Sequence, residues 1–190
     1  ERQQWRVNYY ANITLIDDWI GKILDVLSRQ GQLDNTWVIF TSDHGEMLGD
    51  HGLWSKAVWY KQSVHVPCLV RPARGMLANH VGWRSSALTE HIDVPATIVD
   101  IAGATPLRDS TGASLARFCA LPSSDRTATV GKSAVLSELF GETTLITDQF
   151  KLTVRTEDNK ARQFFDLALD PDEHENRVLE STAADTIETL

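Results

Sequence analysis

The sequence predicts an α/β protein: part of an open sheet sandwiched by helices, followed by a small antiparallel sheet with a closing helix. Three observations support this prediction. Helix-like and strand-like segments alternate over residues 1–107, and short β-prone runs follow one another over residues 133–190. A stretch rich in Ser, Thr, Gly and Asp, residues 108–132, separates them. We therefore expect a core segment, a linker and a small α+β C-terminal subdomain.

The first element is an amphipathic helix over Tyr9–Ser28. Its apolar residues recur at alternating spacings of three and four, which places them on one face of the helix. Gly31 lies where a left-handed residue commonly ends a helix. The residues of the apolar face are Ile13, Ile16, Ile20, Ile23 and Leu27.

Two continuous apolar runs follow, at Thr36–Thr41 and Val64–Val70. Because polar residues do not alternate with apolar ones in these runs, we expect strands covered on both faces, as in a parallel sheet. Asp93 is expected to N-cap the next helix, which carries Pro95 in its first turn and ends at Gly103. Ligands of such sheets lie beyond the carboxyl ends of the strands, so the residues after Thr41 are the first place to look for a site.

The C-terminal part contains four short β-prone runs and a final helix, which we expect to begin at about Asn176. Short connections between β-prone runs are typical of antiparallel neighbours. The four runs are Ala134–Leu139, Thr143–Thr147, Phe150–Arg155 and Gln163–Leu167.

The net charge of −8 is concentrated near the C-terminal end, where eight acidic residues and one arginine follow from Asp166 onward. The rest of the chain is nearly neutral and has no basic stripe, which argues against a nucleic-acid partner. The apolar runs are too short for a membrane span. Cys68 and Cys119 match no zinc-binding spacing and leave the redox compartment open.

Chemically reactive side chains are concentrated directly after the first strand. Asp43 and His44 offer a carboxylate and an imidazole, which are ligands for calcium, magnesium, manganese or zinc, and Gly45 permits a sharp bend. A second interpretation is an ordinary turn in which Asp43 caps backbone amides. Both interpretations stay open from the spacing alone. Further candidates in the same loop are Glu46, Asp50 and His51.

Lys56 follows this loop at a distance from which it can fold back over a bound ion. Its compact positive charge suits an oxyanion such as sulfate or phosphate, although a plain surface lysine is the alternative. The remaining histidines have no partner that the sequence identifies, and we expect them to be structural or exposed. They are His65, His80, His91 and His174.

Several motifs, in order, resemble the C-terminal half of the sulfatase family in the alkaline phosphatase superfamily. They are "YYANITLIDDWIGKIL", "DNTWVIFTSDHGEMLGDHGLWSK", "VPCLVRP", "HIDVPATIVDIAGA", "DQFKLTVR" and "FFDLALDPDEHENRV". The resemblance covers nearly the whole chain. It implies an alkaline-phosphatase-like sheet over residues 1–107.

The resemblance also implies roles for individual residues. Asp43 and His44 match the pair that binds one divalent cation, most often calcium and in some relatives manganese, together with acidic residues from the N-terminal half. Lys56 matches the lysine that contacts the sulfate and its bridging oxygen. His51 is expected to act only indirectly, behind these groups. The family's nucleophile is a formylglycine made from Cys or Ser in a C/S-x-P-x-R motif.

The chain departs from the family at two points. Neither Cys68 nor Cys119 lies in that motif, and Lys61 and His65 stand where the family has other residues. We therefore expect a sulfatase piece, inactive alone, whose partners are its missing N-terminal half and a small-molecule or saccharide sulfate ester. Two alternatives remain: a phosphonate monoester or phosphodiester hydrolase of the same superfamily, and a non-catalytic remnant that serves as an interaction module.

Overall fold

A computed structural model of the protein describes residues 2–74, 82, 84–119 and 131–190. His80 and residues 120–130 of the expected linker lie outside the described residues. Helices and antiparallel sheets make up the chain, which confirms the α/β class. No helix in the described part is both long and apolar enough to cross a bilayer.

The first helix, α1 (Arg2–Arg29), begins seven residues earlier than predicted. No proline or glycine interrupts the polar turns before Tyr9, so the helix continues into them even though its apolar pattern starts later. Its end is as expected: Gly31 has φ of +67°, and Gln32 N–H bonds to the Leu27 carbonyl at 2.9 Å. A short 3₁₀ turn, Leu33–Asn35, leads to the first strand.

Strands β1 (Val38–Thr41) and β2 (Cys68–Arg71) form a two-stranded sheet. They pair antiparallel, with Val38 opposite Arg71 and Thr41 opposite Cys68, so the expected parallel arrangement is wrong for this pair. The expected cover on both faces is also absent among the described residues: no residue of β1 or β2 is buried, and Leu69 is 59% exposed. An apolar run carries no information about strand direction. The second run also starts late, because Val64 is the last residue of the short helix α2 (Lys61–Val64) and residues 65–67 form a connection.

Helix α3 (Asp93–Ile101) packs against the short helix α4 (Ala116–Cys119). Asp93 is not the N-cap but the first helical residue, and its buried carboxylate accepts the amides of Glu90 at 2.7 Å and Ala113 at 2.8 Å. The expected linker is therefore ordered on α3 over its first part, where Leu115 is buried.

Four strands form an antiparallel meander in chain order: β3 (Val135–Leu139), β4 (Glu142–Ile146), β5 (Phe150–Arg155) and β6 (Ala161–Asp166). This confirms the antiparallel C-terminal sheet. A 3₁₀ turn, Ser181–Ala183, leads to α5 (Ala184–Thr189), which begins later than predicted.

Asn176, the predicted start of that helix, instead bonds to the edge of β6. Its side-chain oxygen accepts the Phe164 amide at 3.0 Å, and its amide nitrogen donates to the Arg162 carbonyl at 3.1 Å. Asn176 therefore does not start a helix, and its side chain instead connects this segment to strand β6 by two hydrogen bonds.

The two faces of this sheet have different partners. Leu152 and Phe164 pack with Ala183 in the core of the C-terminal region. On the other face, Lys151 Nζ donates to the Trp59 carbonyl at 2.8 Å, and the Phe165 ring lies near Tyr60. The second face therefore contacts the segment between β1 and β2, which carries the candidate site.

Candidate active site

The chain turns sharply where β1 ends. Ser42 Oγ donates to the His44 carbonyl at 2.8 Å, and the His44 amide donates to Asp43 Oδ1 at 3.0 Å. Asp43 thus caps a backbone amide, as the second interpretation of this sequence expected. Its other oxygen, Oδ2, lies 3.5 Å from His44 Nε2, and the side chain is 85% exposed. The capping bond therefore leaves one carboxylate oxygen open to a ligand.

The His44 ring is oriented by its own neighbours. Nδ1 lies 2.8 Å from the Gly45 carbonyl oxygen, which can only accept, so Nδ1 carries the proton and Nε2 keeps its lone pair. Lys56 Nζ lies 2.5 Å from that Nε2. A carboxylate oxygen, an imidazole nitrogen and an ammonium group therefore meet at one point.

The pKa of the Asp43 carboxyl lies below its ordinary value. The main cause is the hydrogen bond from the His44 amide. Desolvation acts against it, and the nearby positive charge of Lys56 lowers the pKa a little further. The Asp43 carboxylate is therefore ionised throughout the neutral range. An ionised carboxylate beside an imidazole lone pair is a donor set that fits a divalent cation.

Gly45 is required by a close backbone contact. Its amide donates to the Ser63 carbonyl at 2.7 Å, and a Cβ at this position would lie 1.9 Å from the Gln62 carbonyl oxygen. No side chain fits between the two backbones. Helix α2 therefore fixes the position of the residue that follows His44.

The other acidic candidates of the loop face away from this point. Glu46 Oε1 accepts the amides of Ser55 at 2.5 Å and Leu48 at 3.3 Å, which closes the loop at its base. Asp50 Oδ1 lies 3.9 Å from a guanidinium nitrogen of Arg6 on α1. Among the described residues, no three His, Cys, Asp or Glu side chains gather as a complete metal site.

His51 lies on the far side of the loop with φ of +51°. Its ring stacks on Tyr60 with centroids 3.9 Å apart, and the His174 ring is 5.1 Å away. Within the described residues its buried Nε2 has no hydrogen-bond partner. These contacts hold the loop to the C-terminal region and are consistent with an indirect role.

The sequence did not identify His91 as a neighbour of the site. His91 Nε2 lies 2.7 Å from the Ser42 carbonyl, directly before Asp43, and the residues around it are tied to Lys132 by ion pairs of Glu90 and Asp93. A bond to a carbonyl 49 residues away leaves no local pattern in the sequence.

Comparison with known proteins gives one matching family model, Sulfatase, over residues 1–104. An N-acetylglucosamine-6-O-sulfatase from Bacteroides thetaiotaomicron is 36% identical over 113 residues, which is 60% of this chain and 20% of that protein. The matched part thus spans a fifth of the length of this curated relative.

Two solved structures have the same fold over most of the chain. An enzyme in complex with its substrate D-glucosamine-2-N,6-O-disulfate superposes with a TM-score of 0.81 at 27% identity and covers 94% of this chain and 37% of its own. A phosphonate monoester hydrolase from Silicibacter pomeroyi gives 0.76 at 27% identity, with 92% and 37% covered. Both matches include the C-terminal sheet.

Proposed function

The chain belongs to the sulfatase family, and from this membership we propose that it is the C-terminal part of a metal-dependent hydrolase of sulfuric esters. The chain matches only a part of its relatives, so the activity belongs to the full-length protein. The nucleophile, expected to be a formylglycine, would lie in the preceding part, since neither cysteine of this chain lies in the required motif.

The observation that carries the proposal is the convergence of Asp43, His44 and Lys56 at the end of β1. Asp43 and His44 would hold one divalent cation, with the remaining ligands supplied by the missing half. An open, ionised carboxylate favours calcium, while the imidazole nitrogen also suits manganese. We propose calcium as the first candidate.

Each of these residues has a chemical task that its contacts support. Asp43 stays ionised because the His44 amide stabilises its charge. His44 presents Nε2 because Nδ1 is engaged by the Gly45 carbonyl. A bound divalent cation supplies Lewis-acid polarisation of the ester and a lower pKa for the nucleophile.

Lys56 would contact the sulfate and the departing oxygen. The Nε2 lone pair of His44 accepts one partner at a time, so Lys56 gives up this hydrogen bond when His44 acts as a ligand. Its ammonium group is then free for an oxyanion, where it stabilises the negative charge that develops as the ester bond breaks. His51 would act indirectly, by holding the loop against Tyr60.

The proposed substrate is a small-molecule or saccharide sulfate ester. A phosphonate monoester or phosphodiester hydrolase is the second candidate, favoured by the structural match to a phosphonate monoester hydrolase. A tetrahedral oxyanion suits the same cation and lysine in both cases. Aryl esters with one common leaving group, a sulfate, a phosphonate and a phosphodiester, would separate the two candidates by kcat/KM in the full-length protein.

Asp43→Ala in the full-length protein tests the site. We expect loss of calcium binding in titration calorimetry together with loss of sulfate-ester turnover, because the variant lacks the open carboxylate oxygen. Asp25→Ala, an exposed acid on α1, is the matched control and should retain both. Calcium binding by Asp43→Ala at wild-type affinity would refute the assigned ligand. A wild-type protein that turns over none of the three esters would instead support the non-catalytic remnant.

A further inference from the structure

A buried ion pair lies between the C-terminal sheet and the site segment. Lys151 on β5 and Glu173 are each 2% exposed, and Lys151 Nζ contacts Glu173 Oε1. Lys151 Nζ also donates to the Trp59 carbonyl at 2.8 Å. A buried ion pair contributes little net stability compared with apolar residues of similar volume. The pair therefore calls for an explanation other than stability.

The second oxygen of Glu173 reaches the site segment. Oε2 accepts the amide of Lys61, the first residue of α2, at 2.9 Å. The Lys61 side chain returns to the same acidic turn, where Nζ donates to the Pro171 carbonyl at 2.8 Å and pairs with Asp172. Glu173 itself has φ of +61°, a left-handed backbone conformation that residues with a side chain rarely adopt. The start of α2 is thus held by backbone and side-chain bonds to one turn.

Helix α2, whose first residue is held by Glu173, contacts the residue that orients the candidate ligand His44. Two residues after Lys61, the Ser63 carbonyl accepts the Gly45 amide at 2.7 Å, and the Gln62 carbonyl leaves no space for a side chain at Gly45. The Gly45 carbonyl in turn lies 2.8 Å from His44 Nδ1 and sets the orientation of the imidazole. Direct contacts therefore join the buried pair to the His44 ring.

We propose that Glu173, itself oriented by Lys151, is a positioning residue that sets the His44 imidazole for cation binding through α2 and Gly45. This inference rests on the proposed function, which assigns His44 as a ligand. Glu173 has the two oxygens that the task needs, one for Lys151 Nζ and one for the Lys61 amide. Loss of either contact frees α2 to shift and lets the Gly45 carbonyl rotate away from His44.

Two substitutions of Glu173 separate the role of its negative charge from the role of its side-chain length. Glu173→Gln removes the charge that pairs with Lys151, while Glu173→Asp keeps the charge and shortens the side chain by one methylene, so that it cannot reach both partners. Phe164→Leu is the matched control, since Phe164 is equally buried but lies on the other face of the C-terminal sheet, in the core with Leu152. All three variants are expected to lower the Tm of the full-length protein.

The readouts are the ring-nitrogen NMR shifts of His44 without cation, assigned by their loss in His44→Gln, and the calcium Kd from calorimetry. We expect both Glu173 variants to populate a second His44 tautomer and to raise the calcium Kd by about tenfold or more, as substitutions behind metal ligands commonly do. Phe164→Leu should lower the Tm and leave both readouts at their wild-type values.

Wild-type His44 shifts and calcium Kd in both Glu173 variants would overturn the inference, and so would equal changes in Phe164→Leu. If Glu173→Gln does not fold, Glu173→Asp decides, because it keeps the buried lysine paired. Failure of the proposed function has a different signature: wild-type protein that binds no calcium. The His44 ring shifts would still report whether Glu173 orients the imidazole.

Discussion

The two ends of the chain differ sharply in how they bury their side chains. In the C-terminal sheet, Phe164 and Phe165 are almost fully buried by the chain's own residues. In α1, none of the 28 residues is buried, and Trp5 remains 67% exposed. An amphipathic helix of this kind is stabilised mainly by packing of its apolar face. We therefore expect α1 to be covered in the full-length protein by the N-terminal part proposed above.

The candidate site lies between these two regions of the chain. Its residues differ in the same way, since some are exposed and the residues that support them are buried. Asp43 and Lys56 are exposed, while Lys151 on the C-terminal sheet and its partner Glu173 are buried. Exposed site residues are free to serve chemistry at little cost in stability. Changes in the apolar core around Phe164 should therefore alter stability alone, and changes at the exposed Asp43 and Lys56 should alter turnover. Changes at Glu173 should alter both stability and cation binding.

The largest expected effect is on stability, from Phe164→Ala in the C-terminal core. Removing a buried phenyl ring leaves a cavity and should lower the free energy of unfolding by about 3–5 kcal/mol. Chemical denaturation of the full-length protein measures this, and the exposed Leu179→Ala is the control. The kcat/KM per folded molecule should be unchanged. A loss of turnover in the folded fraction would show that core and site are not separable.

Lys56→Ala should lower turnover and leave stability unchanged, which is the reverse of the pattern expected for Phe164→Ala. We expect kcat/KM for the sulfate ester to fall by about two orders of magnitude, because the lysine stabilises charge on the departing oxygen. Calcium binding should be retained, with a Kd no higher than that of the wild type, because Lys56 is not a ligand and competes with the cation for His44 Nε2. The Tm should stay at its wild-type value, since Lys56 is exposed. Lys160→Ala, at another exposed lysine, is the control. Wild-type turnover in Lys56→Ala would contradict the assigned role.

A smaller effect is expected from the buried hydroxyl pair in the C-terminal sheet. Thr144 and Thr153 share a hydrogen bond of 2.8 Å, and both side chains are fully buried. Thr153→Val leaves the Thr144 hydroxyl without this partner and should cost about 1–3 kcal/mol. The double variant, with valine at both positions, should recover part of that loss, as measured by denaturation. A double variant less stable than the sum of the two single changes would contradict this.

The smallest expected effect concerns Asp43 and pH. Its pKa is lowered in the folded state, so its charge contributes stability above the ordinary value of 3.8 and loses that contribution as the pH falls through the lowered pKa. The Tm difference between wild type and Asp43→Asn, measured without divalent cation, should be constant from about pH 5 to about pH 8. It should shrink only in stronger acid. A difference that changes across the neutral range would mean that the pKa of Asp43 is raised instead.

Local signals in the sequence predicted a large part of this structure. Strand β5 has the predicted bounds, Phe150–Arg155, because its β-prone residues lie between clear turns. Gly31 ends α1 as expected, since the left-handed conformation favours glycine. The position of Asp43 and His44 directly after β1 also follows from a local pattern, the change from an apolar run to charged residues.

Features that depend on distant partners were not predictable. The direction of β2 relative to β1 depends on the path of the 26 residues between them, which no apolar run records. The bonds of His91 to Ser42 and of Glu173 to Lys61 join residues that are far apart in the chain. Asn176 was misread because an asparagine that fastens a sheet edge has the same local sequence as one that starts a helix.

The bond between Glu173 and the Lys61 amide also has a consequence for biosynthesis. Its partners are 112 residues apart, so a nascent chain makes α2 long before it makes the carboxylate that holds it. At about 5–20 residues per second, that interval is on the order of ten seconds. During translation the loop with Asp43 and His44 therefore lacks this support until Glu173 has left the ribosome, and the geometry of the candidate ligands is completed only then.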